Sequence, residues 1–192
     1  MRKVSGGMTA RDRILNTASG LFYTQGVRAV GVDKVIDEAK VAKATLYAHF
    51  RSKNELIEAY LRHQASQARE DLQRIERDTP PGTDRISAVF DHAAMAADRP
   101  GYRGCCFINA AAEGLDSESR ASEIVAEHRE LVLDYFVRNV DAPTLKERTE
   151  VARVVMALFD GAKVASVSEG SAAFETVRRA TLALAGSPTA VR

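Results

Sequence analysis

The stretch from Val32 to Lys53, VDKVIDEAKVAKATLYAHFRSK, leaves this chain few folds to choose from. Val32, Val35, Ile36 and Ala39 repeat at i, i+3, i+4 and i+7, the spacing of one apolar face on a two-turn helix. Lys40-Val41-Ala42 interrupts that register, and a second short helix follows in which Leu46 and Phe50, one turn apart, face the same core. Its outer side carries Lys43, Thr45, Tyr47 and His49, hydrogen-bonding and basic groups with little reason to be buried. Two short helices about a three-residue turn, the second polar outside, form the helix-turn-helix layout, whose second helix can lie in the major groove of DNA. Ser52 to Glu55 then reads as a capping box. The Ser52 hydroxyl takes an orphan amide of a third helix, and Glu55 reaches back to the Ser52 amide. This cap sets Lys53 at an exposed helix start.

The run KATLYAHFRSKNEL resembles the signature of TetR-type one-component bacterial transcription regulators. The helix before it and the long helical remainder are also similar to that family, so the resemblance spans the chain, specific in the first part and loose beyond. Two positions depart from it. Lys40 stands where the family usually has glycine, and Gly31-Val32 stands where threonine often opens the first motif helix. A lysine with positive φ at that turn costs roughly 1 kcal/mol relative to glycine. The resemblance implies a repressor, a small-molecule pocket among the central helices, and allostery that moves the long fourth helix.

Composition sets looser bounds. The 192 residues make one domain, or a small one fused to a larger, and 45% apolar residues suffice for a core. The formal net charge is +1, but residues 1–60 hold 10 Lys and Arg against 6 Asp and Glu, while the rest hold 17 against 20. A mildly basic head on an acidic body suits attraction to DNA at one end. There is no apolar run of membrane-spanning length and no signal-peptide pattern, so no membrane partner is expected. The two cysteines, Cys105 and Cys106, are adjacent, which excludes a disulfide framework and points to the cytoplasm.

In order, the basic tail holds Arg2 and Lys3, able to touch phosphates. Thr9 and Asp12 then cap a first helix striped by Ile14, Ala18, Leu21 and Phe22 and stopped by Gly26. The helix after Ser52 runs to about Asp78, where Thr79-Pro80-Pro81-Gly82 ends it. Helical spacing recurs over Asp84–Ala97, Cys105–Glu113, about Ile124–Val140, a stretch from a Thr144–Glu147 capping box to about Ser168, and a last helix with Phe174 and Leu184. The reading is all-α: about nine helices, no sheet, a DNA-binding head at 1–52 and an effector-binding and dimerisation body at 53–192, linked by the helix at 53–78.

Thr45 has the hydroxyl to reach a base edge or phosphate, and Tyr47 can both pack and reach a phosphate. Lys53 combines charge with a helix N-terminus. Lys43 either meets guanine O6 and N7 or only adds to the field, and His49 is either structural or a phosphate contact. Ala44 and Ala48 allow close approach, while Arg28 and Lys34 are lesser backbone contacts. One head offers few contacts, so a homodimer on a pseudo-palindromic double-stranded operator is expected, with recognition helices roughly 34–36 Å apart. The interface is placed on the last two helices, through Val151, Val154, Val155, Leu158, Gly161, Ala162, Ala165, Phe174, Val177 and Thr181, apolar over more of the circumference than one internal face needs.

An effector would take apolar cover from Phe90, Met95, Phe107, Tyr135 and Phe159, each a residue type more often found in ordinary core. Asn109 and Glu113, one turn apart, either orient a polar group of it or face water. Cys105 and Cys106 leave redox or metal sensing open, although a reactive thiol needs a lowered pKa and His92 and His128 lack ligand spacing. No cofactor or metal is expected. The absence of G-x-G-x-x-G, phosphate-loop, H-E-x-x-H and G-x-S-x-G motifs argues against an enzyme. The rival is a DNA-binding protein without an effector, constitutive or architectural.

Overall fold

The computed structural model describes residues 8–186, so Arg2 and Lys3 lie outside the described residues. Among those residues there are nine α-helices and no strand: α1 (Ala10–Gln25), α2 (Val32–Ala39), α3 (Lys43–His49), α4 (Lys53–Asp78), α5 (Thr83–Ala97), α6 (Cys106–Ala112), α7 (Arg120–Asn139), α8 (Leu145–Glu169) and α9 (Ala172–Ala185).

The N-terminal helices form where the sequence supplies caps and stops. Thr9 and Asp12 close both arms of a capping box on α1, and its predicted stripe of Ile14, Ala18, Leu21 and Phe22 is buried. Gly26 ends the helix at φ 94, a backbone that a Cβ disfavours. Lys40 takes the left-handed conformation at φ 52, ψ 52, and Val41 donates back to Ile36 O at 3.3 Å. This turn lets α3 swing away from α2 while Leu46 and Phe50 stay sealed in the core.

The α4 cap differs from expectation. The Ser52 hydroxyl accepts the Glu55 amide at 3.1 Å, but the Glu55 carboxylate accepts the Arg51 amide, at 2.7 Å, instead of the Ser52 amide. The extended backbone at Ser52 brings the preceding N–H within reach, so only half of the capping box forms. Lys53 is half-buried rather than exposed.

Two apolar clusters organise the rest. The first joins α1, α2, α3 and the start of α4 to Phe107 and Ala110 on α6 and to Ala121 and Ile124 on α7. The head is therefore packed on the body through α6 and α7 as well as carried by α4, a helix about 40 Å long at 1.5 Å per residue. The second cluster fills the space among α5, α7, α8 and α9. Its centre is Phe159, whose ring lies 4.9 Å from Phe90, 5.6 Å from Phe136 and 6.1 Å from Phe174. Buried Asn139 ties the layers together, accepting the Gly82 amide at 3.2 Å and donating to Tyr135 O at 2.8 Å.

This second cluster corrects the residues expected at a subunit contact. Val151, Val155, Ala162, Phe174 and Thr181 point into the chain's own core and are sealed there. Helix α8 has α5, α7 and α9 to cover its inner side, so the apolar circumference is partly consumed within one chain. The small and apolar residues that stay open on α8 include Val154, Ala157, Gly161, Val164 and Val167, with Leu158 and Ala165 half-buried between them. Val177 is half-buried on α9.

Candidate functional site

Helix α3 presents Lys43, Ala44, Tyr47, Ala48 and His49 to the outside, with Thr45 half-buried at its edge. Leu46 and Phe50 anchor the opposite side, and Arg11 of α1 stacks on the Phe50 ring at 5.1 Å, beside that face. The face is thus held rigidly by its own core and offers two small methyls flanked by polar reach, a shape that fits close approach to base edges.

Its cations are not equally available. Lys43 Nζ reaches Asp33 on α2 at 3.1 Å, and this hydrogen bond raises its pKa above the usual lysine value. Lys34 Nζ donates to Gln25 Oε1 at 2.7 Å. Lys53 Nζ donates to Arg28 O at 3.0 Å, and burial lowers its pKa, partly countered by the nearby Glu113 charge. Lys53 is therefore turned toward the α1–α2 turn, with a structural duty that its sequence position did not disclose. Arg28 is exposed, but its amide donates to Glu113 Oε2 at 2.8 Å.

In the body, a cavity of about 470 Å³ opens among α4, α5, α7, α8 and the segment before α6. Of the residues expected around an effector, Phe107 and Phe159 line it; the other five do not. Phe90 and Tyr135 are sealed in the core. Met95 is largely exposed beside a shallow outer depression. Asn109 donates to Arg103 O at 2.7 Å, and Glu113 is taken up by the Arg28 amide. Long helices pack their bulkiest aromatics inward, so aromatic content marked the core better than the hollow.

The residues that do line the hollow include Leu72, Ile75, Val89, Val132, Tyr102, His128 and Lys163, none singled out as lining from the sequence. Lys163 stands in the run Gly161-Ala162-Lys163-Val164-Ala165, three residues after Asp160. His128 stacks on Phe107 at 3.7 Å, and burial, reinforced by the Lys163 charge, lowers its pKa to about 4. His92 sits 3.2 Å from Asp71. Among the described residues no cluster of three or more metal-ligating side chains exists. Cys105 and Cys106 are free thiols on the cavity wall, and burial pushes the Cys106 thiol up, opposite to what a reactive thiolate needs.

One wall of this cavity grips the head. The Tyr23 hydroxyl, at the end of α1, accepts the Arg103 amide at 2.8 Å and donates to Gly104 O at 3.2 Å. The Arg103 guanidinium donates to the carbonyls of Tyr23 and Thr24, the last turn of α1. Tyr23, Tyr102 and Gly104 also line the hollow, so the same segment touches both places.

A helix-turn-helix head with a polar recognition face, fused to a hollow helical body, defines a DNA-binding transcription regulator rather than an enzyme. The family described as "Bacterial regulatory proteins, tetR family" matches residues 14–60. The chain is also 31% identical to SCO4454, a TetR-family transcriptional regulator from Streptomyces coelicolor whose crystal structure is known. The two align with a TM-score of 0.83 over 93% of this chain and 96% of that one. The chain belongs to the TetR family. Curated relatives match over shorter stretches. The HTH-type transcriptional activator FasR of Mycolicibacterium smegmatis is 34% identical over 97 residues, 48% of this chain and 43% of FasR. The HTH-type transcriptional repressor KstR2 of the same organism is 36% identical over 52 residues, 27% of this chain and 25% of KstR2. The chain thus spans less than half the length of these two curated relatives. No helix among the described residues is long and apolar enough to cross a membrane.

Proposed function

We propose that the protein is a homodimeric repressor that leaves a pseudo-palindromic operator when a small molecule fills the body cavity, with residues 1–52 as the reading head and 53–192 as the sensing and pairing body. The carrying observation is the shared wall: the segment lining the hollow also holds the last turn of α1 through Tyr23 and Arg103. A ligand that displaces Tyr102 or Gly104 moves the anchor of the head, and α4 carries the same displacement from its cavity side to its Ser52 end.

In this reading Thr45, Tyr47 and His49 contact base edges or phosphates, Ala44 and Ala48 permit the approach, and Lys43 reaches guanine after leaving Asp33. Lys34 and Arg28 lie on the flanks. Pairing through the open strip of Val154, Gly161 and Val164 on α8, with Val177 nearby on α9, puts two heads on one duplex. Ligand then reduces affinity by letting only one head engage at a time, so that the effective-concentration gain of the second is lost. Repression is the sign assigned, because two heads seated in successive grooves obstruct a promoter without a further partner.

The test is selection of bound genomic fragments by the purified full chain, followed by binding to the recovered site at several salt concentrations. Expected are a two-fold symmetric site with half-sites one turn apart and a steep salt dependence that falls when Tyr47 and Lys43 are replaced together by alanine. A single chain in solution with no preference over random duplex overturns the proposal.

A further inference from the structure

We propose that the body cavity takes an amphipathic monoanion, a carboxylate on an apolar or aromatic body, seated with the carboxylate at Lys163. The inference rests on reading the cavity as the effector site and goes on to name what enters it. Lys163 lines the hollow half-buried, its ammonium 4.1 Å over the Phe159 ring, and no carboxylate among the described residues pairs with it. A half-buried ammonium with no carboxylate partner is left to pair with an incoming anion, and it does so in surroundings less screened than open water.

The charge balance of the lining agrees. Asp71 is its one carboxylate among the described residues, and it is already engaged by His92 and Arg74. Lys163, with exposed Arg99 at the edge of the lining, leaves the site positive, which favours an anion and opposes a cation. His128 agrees with this reading. It is buried in the same wall, stacked on Phe107, and its Nδ1 has no hydrogen-bond partner. A carboxylate beside Lys163 would offset the ammonium charge that acts on this imidazole.

The remainder of the hollow is apolar. Leu72 and Ile75 of α4, Val89 of α5, Val132 of α7 and Phe159 of α8 line it, and about 470 Å³ holds a medium-length chain or one substituted ring. A polar sugar or a polyanion would leave those side chains facing groups they cannot satisfy.

Calorimetry on the full chain without DNA tests the proposal with two matched pairs: octanoate against octanamide, and 4-phenylbutyrate against 4-phenylbutyramide. The acids are expected to bind at least about tenfold tighter than the amides. Lys163→Gln should abolish that preference, and Lys163→Arg, which keeps the charge, should retain it, with thermal melts confirming that both variants fold. Equal binding of acid and amide, unchanged acid binding by Lys163→Gln, or no acid binding at about 1 mM overturns the proposal. Operator release is followed separately by anisotropy. Acids that bind through Lys163 yet leave DNA affinity unchanged sustain this site and overturn the effector reading instead.

Discussion

The Glu113 carboxylate at the end of α6 accepts the amide of Arg28, in the turn between α1 and α2, at 2.8 Å across 85 positions of sequence. Lys53 at the start of α4 holds the carbonyl of the same residue at 3.0 Å. One residue of the head is thus clamped by the body on one side and by the linking helix on the other. Gly26 permits the clamp, because a Cβ there would stand 2.5 Å from Glu113 Oε1.

Glu113→Ala should therefore loosen the head without unfolding it. Losing the acceptor of this exposed amide costs about 0.5–1 kcal/mol. The local signature is sharper than the global one: hydrogen exchange at the Arg28 amide should accelerate, while amides of the α5, α7 and α8 core stay unchanged. Glu113→Gln keeps an acceptor oxygen and should restore most of the protection. Equal exchange in all three proteins would show that the contact carries no constraint.

Lys40 occupies the left-handed region at the end of α2, where a side chain is strained and glycine is not. Lys40→Gly should stabilise the fold by about 1 kcal/mol, the strain relieved outweighing the entropy that glycine adds to the unfolded chain. For a protein of this size that corresponds to a midpoint higher by roughly 2–4 °C in a thermal melt. Lys40→Ala keeps the Cβ and should give no such gain.

In the proposed complex Asp33 competes with DNA for Lys43. Their side chains are both well exposed, so the pair itself adds little stability. The competition matters more at the binding surface. Asp33→Asn frees the ammonium and removes a negative charge from the side facing phosphates. Operator affinity should rise by about three- to tenfold at low salt, with a gain that shrinks as salt is added. Asp33→Asn in a Lys43→Ala background should recover less of it.

The head was legible in the sequence because its signals are local. Thr9 with Asp12, Ile14 through Phe22, and Leu46 with Phe50 each specify their neighbours within one or two turns, and the structure follows them closely. The α4 cap went astray by one amide because the choice between Arg51 and Ser52 depends on backbone angles that residue types do not dictate. The cavity was less legible for a deeper reason. Phe90 and Phe159 sit on different helices with the same apolar character and both pack on Phe136, and only the packing of the helices decides that Phe159 also borders the hollow while Phe90 is sealed. Val151 and Val154 differ likewise, one sealed inside and one open on the same helix, through the packing of α8 against its neighbours.

His128 makes stability depend on acid in a direction that can be worked out. Its ordinary pKa of 6.5 falls to about 4 in the folded chain, chiefly through burial and then through the Lys163 charge. Between those values the unfolded chain binds a proton that the folded chain refuses, so stability rises with pH across this window and is lost as pH falls from about 6.5 toward 4. At one proton the slope is at most about 1.4 kcal/mol per pH unit, giving a loss on the order of 3 kcal/mol over the full window. Urea unfolding at pH 7, 6 and 5 should show a falling midpoint. His128→Leu removes the titrating group, keeps an apolar partner for Phe107, and should flatten that dependence by about the same slope. A variant as acid-sensitive as the parent would assign the effect to other groups.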